Sequence, residues 1–116
     1  MSMKRRYRPR VGLRVPVIFA SQAEVGRGQT LDLTVPGCLI ESGTVVAQGD
    51  SLQLEIYVPG QRFPLSVSLA VVRWTKGKRF GVEFIKMHES QQLSLNRLLA
   101  LDYSDPSLTQ KRTVSS

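Results

Sequence analysis

From residue 51 to 58 the chain alternates with a period of two: Leu52, Leu54, Ile56 and Val58 against Gln53, Glu55 and Tyr57. Successive strand side chains point to opposite faces, so this pattern predicts a strand with one face on a core and one in water. The alternation recurs over 64–74, where Leu65, Val67, Leu69 and Val71 interleave with Ser66, Ser68 and Ala70. It recurs again over 80–85, with Phe80, Val82 and Phe84 set against Gly81 and Glu83. Residues 75–79 between them read as a hairpin that bends at Gly77. Upstream, the β-branched and aromatic stretch 14–21 predicts a first strand, 23–28 a turn and 29–34 a second strand. Val35-Pro36-Gly37 is a turn signal, 38–42 resumes an extended run, and 47–50 and 59–62 turn again. Only 90–103 has helical spacing, with Ser90 as N-cap and Leu95, Leu98, Leu99 and Asp102 in phase. Short strands divided by Gly/Pro turns and followed by one helix predict a small antiparallel β-barrel with a C-terminal α-helix.

Composition adds one modest core and a lopsided charge. The 116 residues are 41% apolar, enough for a single domain. Three segments are expected: a flexible basic N-terminal arm at 1–13, the barrel and helix at 14–103, and a polar, mobile tail at 104–116. The net charge is +7, and Lys4, Arg5, Arg6, Arg8, Arg10 and Arg14 all stand at the front. The positive field therefore belongs to one end, and an anionic partner is the first expectation. Arginine supplies five of those six cations, which favours planar, bidentate hydrogen bonding to phosphate or a base edge over diffuse charge.

Several function classes fall away. Cys38 is the only cysteine and His88 the only histidine, so an internal disulfide and imidazole–thiolate metal sites are not expected. Cys38 reads as a core thiol and His88 as a surface residue at a helix start. Glu55, Glu83 and Glu89 form no obvious pair, and there is no glycine-rich phosphate loop with a lysine, so an enzyme is not expected. No apolar run approaches the roughly 20 residues that span a bilayer, and no signal-type apolar segment follows the first charges. A cytoplasmic protein without membrane insertion is expected.

Two features remain. Arg6-Tyr7-Arg8-Pro9-Arg10 forms an R-x-x-x-R, and Asp32-Leu33-Thr34-Val35-Pro36-Gly37 forms a [D/N]-x-[S/T]-x-x-G about twenty residues later. Taken singly, the first reads as a solvated basic tail and the second as a turn in which Asp and Thr bond nearby backbone and Gly supplies positive φ. Together, in a β-rich domain of this size, they resemble the PilZ domain family, receptors for the bacterial second messenger cyclic di-GMP. The stretch 10–19 resembles that family's entry into its first barrel strand, and 71–84 its late hairpin ending in G-V-x-F. Arg10 and Arg14 also fit R-x-x-x-R. The pair Arg6 and Arg10 suits the family's spacing to Asp32 better, which leaves Arg14 as a solvent-facing cation opening the first strand. Thr34 for the commoner serine and Pro36 for a frequent glycine depart from the family pattern.

The resemblance implies a ligand and a division of labour. Cyclic di-GMP offers two phosphates and guanine edges rich in donors and acceptors. Arg6 and Arg10 would bind O6 and N7 or a phosphate, Asp32 would accept from guanine N1–H and N2–H, and Thr34 would bond beside it. Gly37 would let ligand or backbone come close. Arg5, Arg8, Arg14 and Trp74 are possible secondary contacts, Trp74 being read first as a packing residue. The arm would order across the ligand, and the output would pass to an unidentified downstream protein partner. A rival expectation is a small β-barrel that binds RNA or single-stranded DNA through its arm, with Tyr57 the main base-stacking candidate. That reading requires steep salt dependence and little nucleotide preference.

Overall fold

The computed structural model of the protein describes residues 10–101. The expectations for Arg5, Arg6 and Arg8, for Asp102 and for the 104–116 tail therefore lie outside the described residues. Seven strands are described: β1 (Arg10–Val11), β2 (Pro16–Ala20), β3 (Val25–Thr34), β4 (Gly37–Ser42), β5 (Ser51–Ile56), β6 (Leu65–Lys76) and β7 (Arg79–Lys86). One helix, α1 (Glu89–Leu101), follows. All pairings are antiparallel, in the order β1-β3-β2-β5-β6-β7-β4, and a further β3–β4 ladder joins the ends. Six strands therefore close into a barrel, and β1 is an extra rung on the far end of β3. Closure leaves few open edges for unwanted strand addition.

The barrel closes around its apolar alternation. Residues 52, 54, 56 and 58 are buried and 53, 55 and 57 exposed, as their period of two requires. Val17 and Phe19 from β2, Leu33 from β3, Ile40 from β4, Val67 and Val72 from β6, and Phe80 from β7 join them in the core. The Phe19 and Phe80 rings meet edge to face with centroids 5.3 Å apart, the arrangement their quadrupoles favour. The helix packs against β6 and buries Leu95, Leu98 and Leu99, each worth about 1.5–3 kcal/mol of apolar transfer. Gln91 Oε1 accepts from Ser66 N–H at 2.8 Å, fastening the helix to the start of β6.

Four local expectations change. The second strand begins at Val25, not residue 29, and the turn shrinks to 21–24, where Ser21 Oγ accepts from Ala23 and Glu24 N–H at 3.1 Å. Gly26 and Gly28 are strand residues: added Cβ atoms would lie 2.5 Å from the Phe19 ring and 2.3 Å from the Glu41 carbonyl oxygen. In β6 the buried phase moves from Leu65 and Val67 to Ala70 and Val72, because the β5–β6 register steps from Leu54↔Val67 to Leu52↔Ala70 and so places one extra residue in β6 between Val67 and Ala70; Leu69 and Val71 are only half-buried. The first strand of the barrel starts at Pro16, so Arg14 stands exposed in the connection before it. The helix starts at Glu89, and His88 O accepts from Gln91 and Gln92 N–H. Ser90 is thus inside the first turn and is not the cap. Between β6 and β7, Gly77 (φ 60°) supplies the positive φ that a two-residue hairpin needs.

Candidate functional site

The outer face of β3, β4, β7 and β6 carries one continuous cross-strand row. Asp32 pairs with Leu39, Leu39 with Gly81, and Gly81 with Trp74. Directly opposed residues share a face of the sheet, so a carboxylate and an indole stand at the two ends of this row. Both ends depend on a bulge. In β3 the register moves from Thr30↔Ile40 to Asp32↔Leu39, which makes Leu31 the extra residue. Thr30 therefore points inward and is fully buried, while Asp32 and Thr34 take the outer face. In β6 the register moves from Val72↔Val82 to Trp74↔Gly81, with Arg73 the extra residue. Val72 stays in the core, and both Arg73 and Trp74 are exposed.

Asp32, Thr34, Pro36, Gly37, Leu39, Arg73, Trp74 and Glu83 line a cleft of about 330 Å³ above this row, with Cys38 in its floor. Trp74 lies over Gly81: a Cβ there would meet the indole Nε1 at 2.3 Å. The missing side chain lets the ring settle on the strand, and 44% of the residue remains exposed. Arg73 Nε donates to Glu83 Oε1 at 2.7 Å along the cleft wall. The Cys38 thiol is buried and held well above its usual range, first by burial and then by the Asp32 charge. It is neutral at ordinary pH.

The motif turn is held from inside. Thr34 Oγ1 donates to Gly37 O at 3.0 Å and accepts from Gly37 N–H at 3.2 Å, and Phe84 N–H donates to Pro36 O at 2.7 Å. Gly37 does not supply positive φ; among the described glycines that occurs at Gly49, Gly60 and Gly77. Its role is close approach, since a Cβ would sit 2.0 Å from the Val82 carbonyl oxygen. Asp32, Thr34, Gly37 and Trp74 thus share one cleft. Arg10 enters through its backbone, directly opposite Thr34 in the β1–β3 ladder. Arg14 does not line the cleft. Neither does Tyr57, the stacking candidate of the rival reading, whose hydroxyl donates to Glu55 Oε1 at 2.7 Å.

Sequence reasoning read Glu83 as part of a solvated strand face and gave Arg73 no role. Counting outward from the Gly77 turn pairs 76 with 79, 75 with 80 and 74 with 81, which is the signal that places Trp74 over a strand glycine. The bulge that turns Arg73 toward Glu83 leaves no such mark. Among the described residues no helix is long and apolar enough to cross a membrane, and no cluster of three His, Cys, Asp or Glu could hold a metal ion.

No curated protein matches the chain in sequence. Solved structures do match in fold. The PilZ domain of CeSA from a cellulose-synthesizing bacterium superposes with a TM-score of 0.61 at 18% identity, over 78% of this chain and 93% of that one. YcgR from Escherichia coli in complex with c-di-GMP gives 0.67 at 15% identity, over 91% of this chain but 46% of that longer one. The PilZ domain of YcgR with c-di-GMP gives 0.62 at 14% identity, over 92% and 95%. The sequence model of the PilZ domain matches residues 4–101, from the basic arm to the end of α1. The chain belongs to the PilZ domain family, a family of cyclic di-GMP receptors whose members are typically non-catalytic.

Proposed function

We propose that this domain is a non-catalytic cyclic di-GMP receptor whose R-x-x-x-R arm closes over the Asp32–Trp74 cleft. The observation that carries the reading is the β1–β3 register, which sets Arg10 opposite Thr34 at the cleft's edge. In this register Arg6 and Arg10 take guanine O6 and N7 or a phosphate, where a guanidinium fork serves better than an ammonium. Asp32 accepts from guanine N1–H and N2–H. Thr34 chiefly holds the turn, since its donor and one acceptor position are engaged by Gly37; one lone pair remains for the ligand. Trp74, backed by Gly81, offers its outer face to a guanine ring. Arg5 and Arg8 flank the arm's motif, and Arg14 contributes field more than contact. Ordering of the arm on binding is the switch that a protein partner reads, and its entropic cost is subtracted from the affinity.

Calorimetric titration of the full chain with cyclic di-GMP tests this. Wild type binds, and Arg10→Ala and Asp32→Ala each lose about ten- to hundredfold, the range expected for a hydrogen bond to a charged group. Binding unchanged in both variants refutes the site. A salt series with single-stranded RNA covers the rival: tight, steeply salt-dependent RNA binding without cyclic di-GMP binding would replace this reading.

A further inference from the structure

Ordinary alternation would send Arg73 and Trp74 to opposite faces of β6. Because Arg73 is the bulged residue, both stand outside and both line the cleft. Arg73 gives its Nε–H to Glu83 Oε1 at 2.7 Å, and among the described residues it has no other hydrogen bond or ion pair. A guanidinium has five N–H donors, so those on the two Nη atoms are left for a ligand. Both side chains are about half exposed, at 54% for Arg73 and 47% for Glu83, so the pair adds little to stability. What it changes is the kind of group Arg73 can take. With a carboxylate against Nε, the unit is locally neutral and offers hydrogen bonds more than charge. A phosphate approaching Arg73 would meet the Glu83 charge as well. A neutral edge with two adjacent acceptors meets no such repulsion, and guanine O6 and N7 form that edge.

We propose that Arg73 reads the O6/N7 edge of a guanine stacked on Trp74, and that Glu83, by holding Nε, fixes the Nη fork for that contact. The inference rests on the cyclic di-GMP reading and deepens it: the barrel wall, through residues outside either sequence motif, helps to select the base. Arg73 is a binding residue, and Glu83 is a positioning residue that acts through it. Adenine carries an amino donor where guanine has O6. The fork that fits guanine would there face N–H groups, so Arg73 discriminates against adenine.

The test is calorimetric titration of the full chain with cyclic di-GMP and with its 7-deaza analogue, in which C–H replaces N7 of both guanines. The readout is the ratio of the two dissociation constants, which isolates the contact at N7 from changes in overall charge. Wild type is expected to bind the analogue about five- to fiftyfold more weakly, the effect of losing hydrogen bonds from charged donors. Arg73→Ala and Arg73→Lys should each shrink that ratio by about threefold or more, since an ammonium keeps the charge but not the fork. Glu83→Gln retains an acceptor for Nε–H and should retain the ratio, whereas Glu83→Ala should shrink it. A merely structural pair would change the affinity for both ligands together and leave the ratio alone. If wild type binds cyclic di-GMP and the ratio is unchanged in Arg73→Ala, the inference is overturned and the receptor reading stands. A ratio unchanged in Glu83→Ala overturns the positioning role of Glu83. If wild type does not bind cyclic di-GMP, both readings fall.

Discussion

Replacing Gly37 with alanine is expected to break the junction between β4 and β7. The backbone at 37 is not in the left-handed region, so the cost comes from crowding, not from conformational preference. An alanine Cβ would lie 2.0 Å from Val82 O and 3.1 Å from Val82 C, whereas real Cβ contacts essentially never fall under 3.0 Å. The obstacle is backbone, with no flexible side chain to swing aside, so the strands must separate by an ångström or more. That movement strains the Gly37↔Glu83 and Cys38↔Val82 pairings and the Phe84 N–H to Pro36 O bond. Overpacking together with one or two weakened hydrogen bonds costs about 2–4 kcal/mol, a large share of the roughly 5–15 kcal/mol that holds a domain folded. At about 4–8 °C per kcal/mol for a domain near this size, the melting temperature should fall by about 8–32 °C. Gly43→Ala is the internal control: a Cβ there meets nothing within 4 Å, so its stability should stay within about 0.5 kcal/mol of wild type. Thermal and urea melts followed by circular dichroism measure both. A Gly37→Ala protein melting within about 3 °C of wild type would refute the reasoning, because the steric cost would then have been absorbed elsewhere.

Two further outcomes follow from buried groups. Thr30 is fully buried; its hydroxyl donates to Leu13 O and accepts from Val15 N–H at 3.3 Å, so Thr30→Val should lower urea stability by about 1–3 kcal/mol, and an unchanged midpoint would contradict that role. Burial raises the Cys38 thiol above its ordinary 9.0, so above that pH the unfolded chain releases a proton that the folded chain keeps. Stability from this group is therefore intact below pH 9.0 and falls as pH rises, by about 1.4 kcal/mol per unit. Cys38→Ala should lose that alkaline slope in urea melts run between pH 8 and pH 11, and parallel slopes in the two proteins would show that the thiol titrates normally.

The sequence was legible where alternation runs unbroken and misleading where it slips. Leu52 to Val58 keep one phase from end to end, and their burial follows it. In β6 the apolar string is nearly continuous, so nothing in residue type marks the bulge between Val67 and Ala70 that moves the core phase onto Ala70 and Val72. Gly26 and Gly28 resembled a turn because glycine is the common turn residue. Here it is required for the opposite reason, to let an aromatic ring and a carbonyl press against an extended strand. At the site, Asp32, Thr34 and Gly37 were found by their spacing, yet the spacing did not tell what each does. Thr34 bonds the turn backbone, as the motif read alone as a turn requires, while Gly37 admits the Val82 carbonyl, a close backbone approach, without the positive φ of that turn. Glu83 was invisible because a glutamate on an alternating strand looks solvated until a bulge turns an arginine toward it.

The two bulges that frame the cleft explain how a barrel with a largely apolar interior can carry a polar site between adjoining strands. Along β3 the residues Thr30, Asp32 and Thr34 share one phase in sequence, and Leu31 and Leu33 the other. A regular strand that buried Thr30 would bury Asp32 as well, with a charge in the core and Leu33 in water. Inserting Leu31 as an unpaired residue reverses the phase: Thr30 stays inside, where its hydroxyl bonds the β1–β2 connection, and Asp32 moves out while Leu33 moves in. Along β6 the same device at Arg73 keeps Val72 inside and turns Trp74 out. Both reversals open onto the row that runs from Asp32 through Leu39 and Gly81 to Trp74. Bulges bend a strand and re-aim its side chains, and here one stands at each end of the same row. The cleft is thus a consequence of two register shifts made at matching heights, with Gly81 left bare between them so that the indole can lie down on the strand. β1 pairs with β3 beyond the first bulge, at Leu33 and Thr34, so the backbone of Arg10 lies beside this row.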